Sequence, residues 1–253
     1  MITANNKLTI LIDADMLVFR ACSAVETEMQ LENEVWCLWT DTAEAKQIVD
    51  DYVVDLTNKV LSHYKHEGAY EILMCFTDDV NFRKDILPSY KSNRAGKRKP
   101  CGYKYVKQWV KDNFNAYQKP TLEADDCIGI LATKLKNCVV ISGDKDFKSI
   151  PCRFYNFIKK EFYEISESQA DFWHLYQTLV GDTADGYKGC PGVGDKTAIK
   201  ILEASQTWQA VVDTFESKGC TEEDALVQAR VARILRKQDY DFKSKKPILW
   251  TPK

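Results

Sequence analysis

The chain has 253 residues, 45% hydrophobic and 28% charged, with a formal net charge of −2, enough apolar material for a packed core in one large or two modest domains. No apolar window approaches the length of a membrane span, and the opening MITANNKLTILIDAD lacks the basic-then-apolar pattern of a secretory leader. A membrane partner is therefore excluded and the cytoplasm is the expected location. The nine cysteines are an odd number without a CxxC pair, and most lie in apolar runs, which excludes a disulfide frame or zinc site and predicts reduced core residues.

In chain order, the first predicted element is a buried strand, KLTILID (7–13), ending on Asp13 and followed closely by Asp15. The acidic stretch SAVETEMQLENEV (23–35) is expected to be solvated or partner-facing. A helical pattern covers 43–66, where His63 and His66 share a solvated face. EILMCFTD (71–78) is a second strand, ending on Asp78 and Asp79. Between Arg83 and Lys111, ten basic residues face a single acid, Asp85, so this stretch is +9 and the rest of the chain is −11. Phe82, Tyr90, Tyr103, Tyr105 and Trp109 are interleaved with it, a composition suited to pairing phosphates and stacking bases, with Tyr90 and Trp109 as stacking candidates. Helices are predicted at 103–115 and 122–136, the second opening on Glu123, Asp125 and Asp126. NCVVISGD (137–144) is a third strand, ending on Asp144 with Asp146 just beyond, and CRFYNFI (152–158) is a fourth.

These strands are short, branched or aromatic and not alternating, as in sheets buried on both faces. Strand alternating with helix predicts a doubly wound α/β domain over 1–165, including the basic segment 82–115, followed by a helical domain over 166–253. Asp182 and Asp185 stand just before a glycine-rich turn, YKGCPGVGDKTAIKIL, in the helical part. There Gly189, Gly192 and Gly194 permit close backbone approach to a phosphate, and a helix begins at Asp195 with its positive end toward the turn. Lys188, Lys196 and Lys200 are the phosphate-contact candidates.

Acids at a helix start gain a few tenths to about 1 kcal/mol from the macrodipole, which accounts for one carboxylate but not three. Two carboxylates about 4 Å apart repel by roughly 4 kcal/mol at an effective dielectric near 20, so acids converging from several strand ends require protons or cations. The candidate ligands are all carboxylates, and oxygen donors favour Mg²⁺ or Mn²⁺ over zinc. Two such ions activate water and stabilise both oxygens exchanged at a phosphodiester.

The order LIDADMLVFRA, FTDDVNFRKDILPSYKSNRAGKRKP, LEADDCIGILA, VISGDKDF and GDTADGYKGCPGVGDKTA resembles the 5′-nuclease (flap endonuclease) superfamily. With WHLYQTLVGDTADGY and ARILR it is most similar to the 5′→3′ exonucleases of short-tailed lytic bacteriophages. The resemblance implies a PIN-like α/β core, mostly parallel and flanked by helices, with a C-terminal helix–hairpin–helix-type domain. It implies metal-dependent 5′→3′ exonuclease and flap activity on double-stranded DNA with 5′ ends or flaps, and on RNA–DNA hybrids at primers. The setting would be DNA replication in a phage-infected bacterial cytoplasm, alongside replication proteins. It assigns Asp13, Asp78, Glu123, Asp125 and Asp126 to one metal and Asp144, Asp146, Asp182 and Asp185 to a second. Asp15 and Asp79 match the ligand pattern poorly. Lys91 and Arg94 match the catalytic basic pair at the foot of an arch, Arg20 a phosphate contact, and the glycine turn a K⁺ site. An inert replication-fork DNA-binding protein and an RNA-directed nuclease of the related small α/β type are the alternative classes.

Overall fold

The computed structural model describes residues 7–252. Leu8–Asp13 (β1) is buried along its whole length and lies between two parallel neighbours, Tyr70–Cys75 (β4) and Cys138–Ser142 (β6). Two further strands, Glu26–Gln30 (β2) and Trp36–Thr40 (β3), form a separate antiparallel hairpin. The main sheet is completed by Ala116–Tyr117 (β5), Arg153–Asn156 (β7) and Glu161–Glu164 (β8), in the order β5-β4-β1-β6-β7-β8. Only the β7–β8 pair is antiparallel. After β1 the chain extends the sheet first on one side and later on the other. The strand order therefore reverses beside β1, which opens a crevice at the carboxyl ends of the strands.

Side chains alternate across the sheet. Ile10, Ile12, Val139 and Ile141 meet one layer of helices, Ala14–Ala24 (α1), Thr42–His63 (α2) and Tyr103–Asn113 (α4). Leu11, Val140 and Phe154 meet the opposite layer, formed by Ala124–Lys134 (α5) together with Ile234, Leu235 and Tyr240 from far along the chain. That second contact is close: a Cβ at Gly129 would lie 2.5 Å from the Leu235 carbonyl oxygen, so only glycine fits there. A one-turn helix, Arg83–Ile86 (α3), starts the basic segment.

The remaining helices are Glu167–Val180 (α6), Asp195–Ala204 (α7), Trp208–Glu216 (α8) and Glu222–Ala232 (α9). They enclose their own core around Leu179, Val211, Phe215 and Ala225. Capping boxes at Ser166 and Thr221 start α6 and α9. The chain from Ile234 to Tyr240 returns to the α/β core, and a small ribbon, Tyr240–Asp241 (β9) with Lys246–Pro247 (β10), follows. Among the described residues, no helix is long and apolar enough to cross a membrane.

The acidic stretch 23–35 holds β2 and the connection to β3, a hairpin that sequence periodicity did not reveal. In its register Thr27 pairs with Trp39 and Met29 with Cys37, giving one uncharged face on which Met29 and Trp39 are 63% and 61% exposed. All nine cysteines are free, but Cys37 and Cys101 are exposed rather than in the core. His63 is not simply solvated, because its ring stacks on Phe162 with centroids 3.6 Å apart.

His174 in α6 is 2% exposed, and its Nε2 donates to the Ala229 carbonyl at 2.9 Å. Burial, helped by the charge of Arg233, lowers its pKa from 6.5 to about 3. The folded chain therefore keeps this imidazole neutral while the unfolded chain protonates it below about pH 6.5. Stability from this group is complete above pH 6.5 and is lost progressively as the pH falls toward 3, amounting to a few kcal/mol. His174→Gln, which keeps a donor, is expected to flatten the dependence of the denaturation midpoint on pH between about 6 and 4. An unchanged slope would show that other groups set it.

Candidate active site

Three elements bring acids to the crevice. Asp13 ends β1 and caps α1, accepting from Met16 N at 3.2 Å. Ser142, the last residue of β6, donates its hydroxyl to Asp13 Oδ2 at 3.1 Å and accepts from Asp144 N at 3.1 Å, which locks the ends of β1 and β6 together. Asp144 in turn caps the following 3-10 turn through Asp146 N at 2.9 Å. Asp125 lies in the first turn of α5. Burial pushes the Asp13 carboxyl up to about 7, reinforced by the charges of Asp15 and Asp144. Burial and then the charge of Asp144 raise Asp146 to about 7. Asp125 is raised well above the usual carboxylate range by burial, then by Asp13 and Asp144. Burial raises Asp144 as well, with the charges of Asp185 and Asp182 adding to it.

Asp182 and Asp185 come from a loop closed at its neck by two glycines. Gly181 and Gly189 have φ of +73° and +65°, and a Cβ on Gly181 would fall 2.3 Å from the Lys188 carbonyl carbon. Asp182 and Tyr187 exchange backbone hydrogen bonds across this loop. The basic segment docks on the same loop: Lys91 N donates to the Asp185 carbonyl at 2.7 Å and Asn93 Nδ2 to the Thr183 carbonyl at 2.8 Å. Lys91 adopts φ +54°, a left-handed conformation that costs a non-glycine residue of order 1 kcal/mol and is sustained by this docking.

Lys91 Nζ pairs with Glu123 and lies 3.5 Å from Asp185 Oδ2, and Arg94 pairs with Asp185. Tyr90 donates its hydroxyl to Glu123 Oε2 at 2.8 Å and to Asp185 Oδ2 at 3.2 Å. Burial alone would raise Glu123, but Lys91 and Arg83 outweigh it and hold the carboxyl at about 2. Glu123, Asp125, Asp146 and Asp185 line a cavity of about 20 Å³, on the scale of a single small occupant. Larger cavities of 380 and 470 Å³ lie elsewhere and hold none of these acids.

Asp126, expected among the ligands, is instead structural. It is fully buried, takes both terminal nitrogens of Arg83 at 2.7 Å, and accepts from Leu235 N at 3.0 Å. Arg83 also donates to Glu123 and to the carbonyls of Val231 and Arg233, so its five N–H groups are all used. Tyr90 is 3% exposed, so its ring is not available to a base, and Trp109 packs against the first core. Of the interleaved aromatics only Tyr105 is largely exposed, at 58%. Gly189 is buried, and its amide is satisfied by Gln228 at 2.9 Å, so it cannot meet a phosphate.

The other predicted positions keep open surfaces. Gly192 and Gly194 have nothing within 4 Å of an added Cβ, and Lys188, Lys196 and Lys200 are exposed. Arg20 is exposed on α1, 5.7 Å from the Phe157 ring centroid. Asp78 is tied to the loop between β5 and α5 by Gln118 and Thr121, both at 2.9 Å, and these bonds, Thr121 first, lower its pKa. Sequence reasoning missed Arg83, Tyr103 and Lys107. The four-residue spacing of the last two, one helical turn apart, was the available signal.

Among the described residues, no three His, Cys, Asp or Glu side chains stand in a closed ligand arrangement. The donor set nevertheless fits a hard divalent cation. It is all oxygen, its members repel one another, and Asp146 Oδ1 is buried without a hydrogen-bond partner.

Residues 8–171 match the family described as 5′-3′ exonuclease, N-terminal resolvase-like domain. The chain belongs to the 5′-3′ exonuclease family. Over 98% of its length it is 32% identical to the exodeoxyribonuclease of Enterobacteria phage T3 and 33% identical to the exonuclease of Escherichia phage T7. The alignments cover 94% and 95% of those proteins. The structure of the bacteriophage T5 5′-exonuclease with zinc bound superposes with a TM-score of 0.64 at 17% identity, covering 90% of this chain and 89% of that one. A T5 flap endonuclease in a pseudo-enzyme-product complex with DNA and metal ions superposes with a TM-score of 0.61 at 16% identity, over the same shares of the two chains. The parallel sheet flanked by helices is thus the PIN-like core of this 5′-nuclease.

Because Arg83 neutralises a buried carboxylate, Arg83→Met should cost the enzyme on the order of 3–5 kcal/mol of unfolding free energy. Arg83→Met with Asp126→Leu should recover part of that loss. Urea denaturation of the two variants checks the order, and a single variant as stable as the parent would refute it.

Proposed function

We propose that the enzyme hydrolyses DNA at or near 5′ ends, with structure-specific activity on flaps, using two divalent metal ions, Mg²⁺ or Mn²⁺. The observation that carries this reading is the convergence of Asp13, Asp125, Asp144 and Asp146, whose burial and mutual repulsion raise every one of their pKa values. Such a set demands countercharge, and oxygen donors select hard cations. Asp13 and Asp125, with Glu123 and Asp78, would hold one ion, and Asp144, Asp146, Asp182 and Asp185 the other. Bound there, the ions supply Lewis-acid activation of water and stabilisation of charge on the phosphodiester.

The chain's own side chains do the rest. Lys91 and Arg94 join acids of both groups, so the incoming phosphate meets cations already fixed at the crevice. Lysine offers a compact charge and arginine a forked donor set, and both would stabilise the negative charge gathering on the phosphate. At the other end, the exposed turn Gly192–Gly194, the uncapped amino end of α7 and Lys188, Lys196 and Lys200 suit duplex backbone, with K⁺ as a candidate occupant of the turn carbonyls. This grip reads shape, so RNA–DNA hybrids at primers are included among the substrates, and replication in a phage-infected cell is the setting that the relatives suggest.

A cleavage time course on 5′-labelled blunt duplex, with Mg²⁺ or EDTA, tests the reading. Short labelled products should require Mg²⁺ and fall by at least about a hundred-fold in Asp144→Ala. Tight duplex binding without cleavage, unchanged by the substitution, would instead identify an inert DNA-binding scaffold.

A further inference from the structure

Asp15 lies at the crevice two residues from Asp13, yet its surroundings differ from those of the unpaired acids. Its Oδ1 accepts from the Tyr103 hydroxyl at 2.6 Å and from Lys107 Nζ at 2.8 Å, and its Oδ2 accepts from Thr77 N at 2.7 Å. Tyr103 and Lys107 are one turn apart on α4, so a single carboxylate holds two successive turns of that helix. Thr77 begins the loop that carries Asp78, and Lys107 also donates to the Thr77 carbonyl at 3.2 Å. The Asp15 and Lys107 side chains are 18% and 17% exposed, so water weakens their pairing little. Lys107 spends two of its three N–H donors on these partners and keeps one. A second cation, Lys99, stands over the Tyr103 ring at 4.2 Å.

We propose that Asp15 is a positioning residue and not a metal ligand: it clasps α4 to the crevice rim and so fixes the Lys107 ammonium where a substrate phosphate passes. The phosphate contact rests on the nuclease reading above. The clasp itself does not. Both Asp15 oxygens are filled by three donors from two other elements, which is the environment of an anchor. Asp13, by contrast, accepts only from the neutral Met16 amide and Ser142 hydroxyl among the described residues, and Asp146 Oδ1 has no hydrogen-bond partner. Val106 and Val110 bury α4 in the core independently, so variants of the clasp will fold.

Asp15→Asn, Lys107→Gln and the double variant separate the roles. Each single change should raise KM for 5′-ended duplex DNA about ten-fold while kcat moves about two-fold or less, and the double variant should add nothing further. Mn²⁺ affinity, read by electron paramagnetic resonance without DNA, should match the wild type. Weaker Mn²⁺ binding with a collapse of kcat in Asp15→Asn would make it a ligand, and additive losses would make the two residues independent. Either result overturns the proposal. Amide hydrogen exchange over residues 103–107 without DNA reads the clasp alone: faster exchange in Asp15→Asn supports it, and unchanged exchange discards it. If the wild type fails to cut DNA while this exchange still responds, it is the nuclease reading that fails.

Discussion

Negative charges buried close together dominate this molecule. At an effective dielectric near 20, each carboxylate pair about 4 Å apart carries roughly 4 kcal/mol of repulsion, and a site of several acids holds together only if the scaffold resists it. Resistance comes from parts that cannot yield. The Ser142 hydroxyl ties β1 to β6, and two glycines pinch shut the loop bearing Asp182 and Asp185. A docked basic segment bridges from that loop to α5.

The acids divide by how their charge is met. Glu123, Asp126 and Asp15 have resident cations in Lys91, Arg83 and Lys107, and the Glu123 and Asp15 carboxyls are held low by them. Asp13, Asp125, Asp144 and Asp146 have neighbours of their own sign and are raised. One stretch of chain, 83–111, supplies all three resident cations, and they do different things. Arg83 is sealed in and spends every donor on the fold, whereas Lys91 and Lys107 sit at the rim with part of their surface exposed. A +9 segment is thus an internal counterion for the acid cluster as well as a face toward phosphate.

The sheet and the acids at its edge were legible because both are written locally. Unbroken apolar runs mark strands covered on two faces, and an aspartate just past the run lands at the carboxyl edge whatever the rest of the chain does. What was hidden depended on distant partners. Nothing near Asp126 distinguishes it from Asp125, and its burial is decided by Arg83, 43 residues earlier in the chain, and by Leu235, 109 residues later. Tyr90 reads as a stacking ring until its hydroxyl is found between Glu123 and Asp185. The hairpin at 26–40 escaped notice because β2, ETEMQ, offers a single large apolar side chain, Met29, and so reads as a charged stretch rather than a strand.

The return of residues 231–235 to the α/β half bears on how the chain is made. The carbonyls of Val231 and Arg233 complete the hydrogen bonding of Arg83, and Leu235 completes that of Asp126. On the ribosome these groups emerge long after the sheet has been synthesised. Until then the nascent α/β half has a buried ion pair with unmet polar groups and an uncovered apolar face around Gly129. The Arg83–Asp126 pair beside the cutting edge is therefore completed only once residues 231–235 have been made, and a polypeptide that stops before them lacks the groups that close around it.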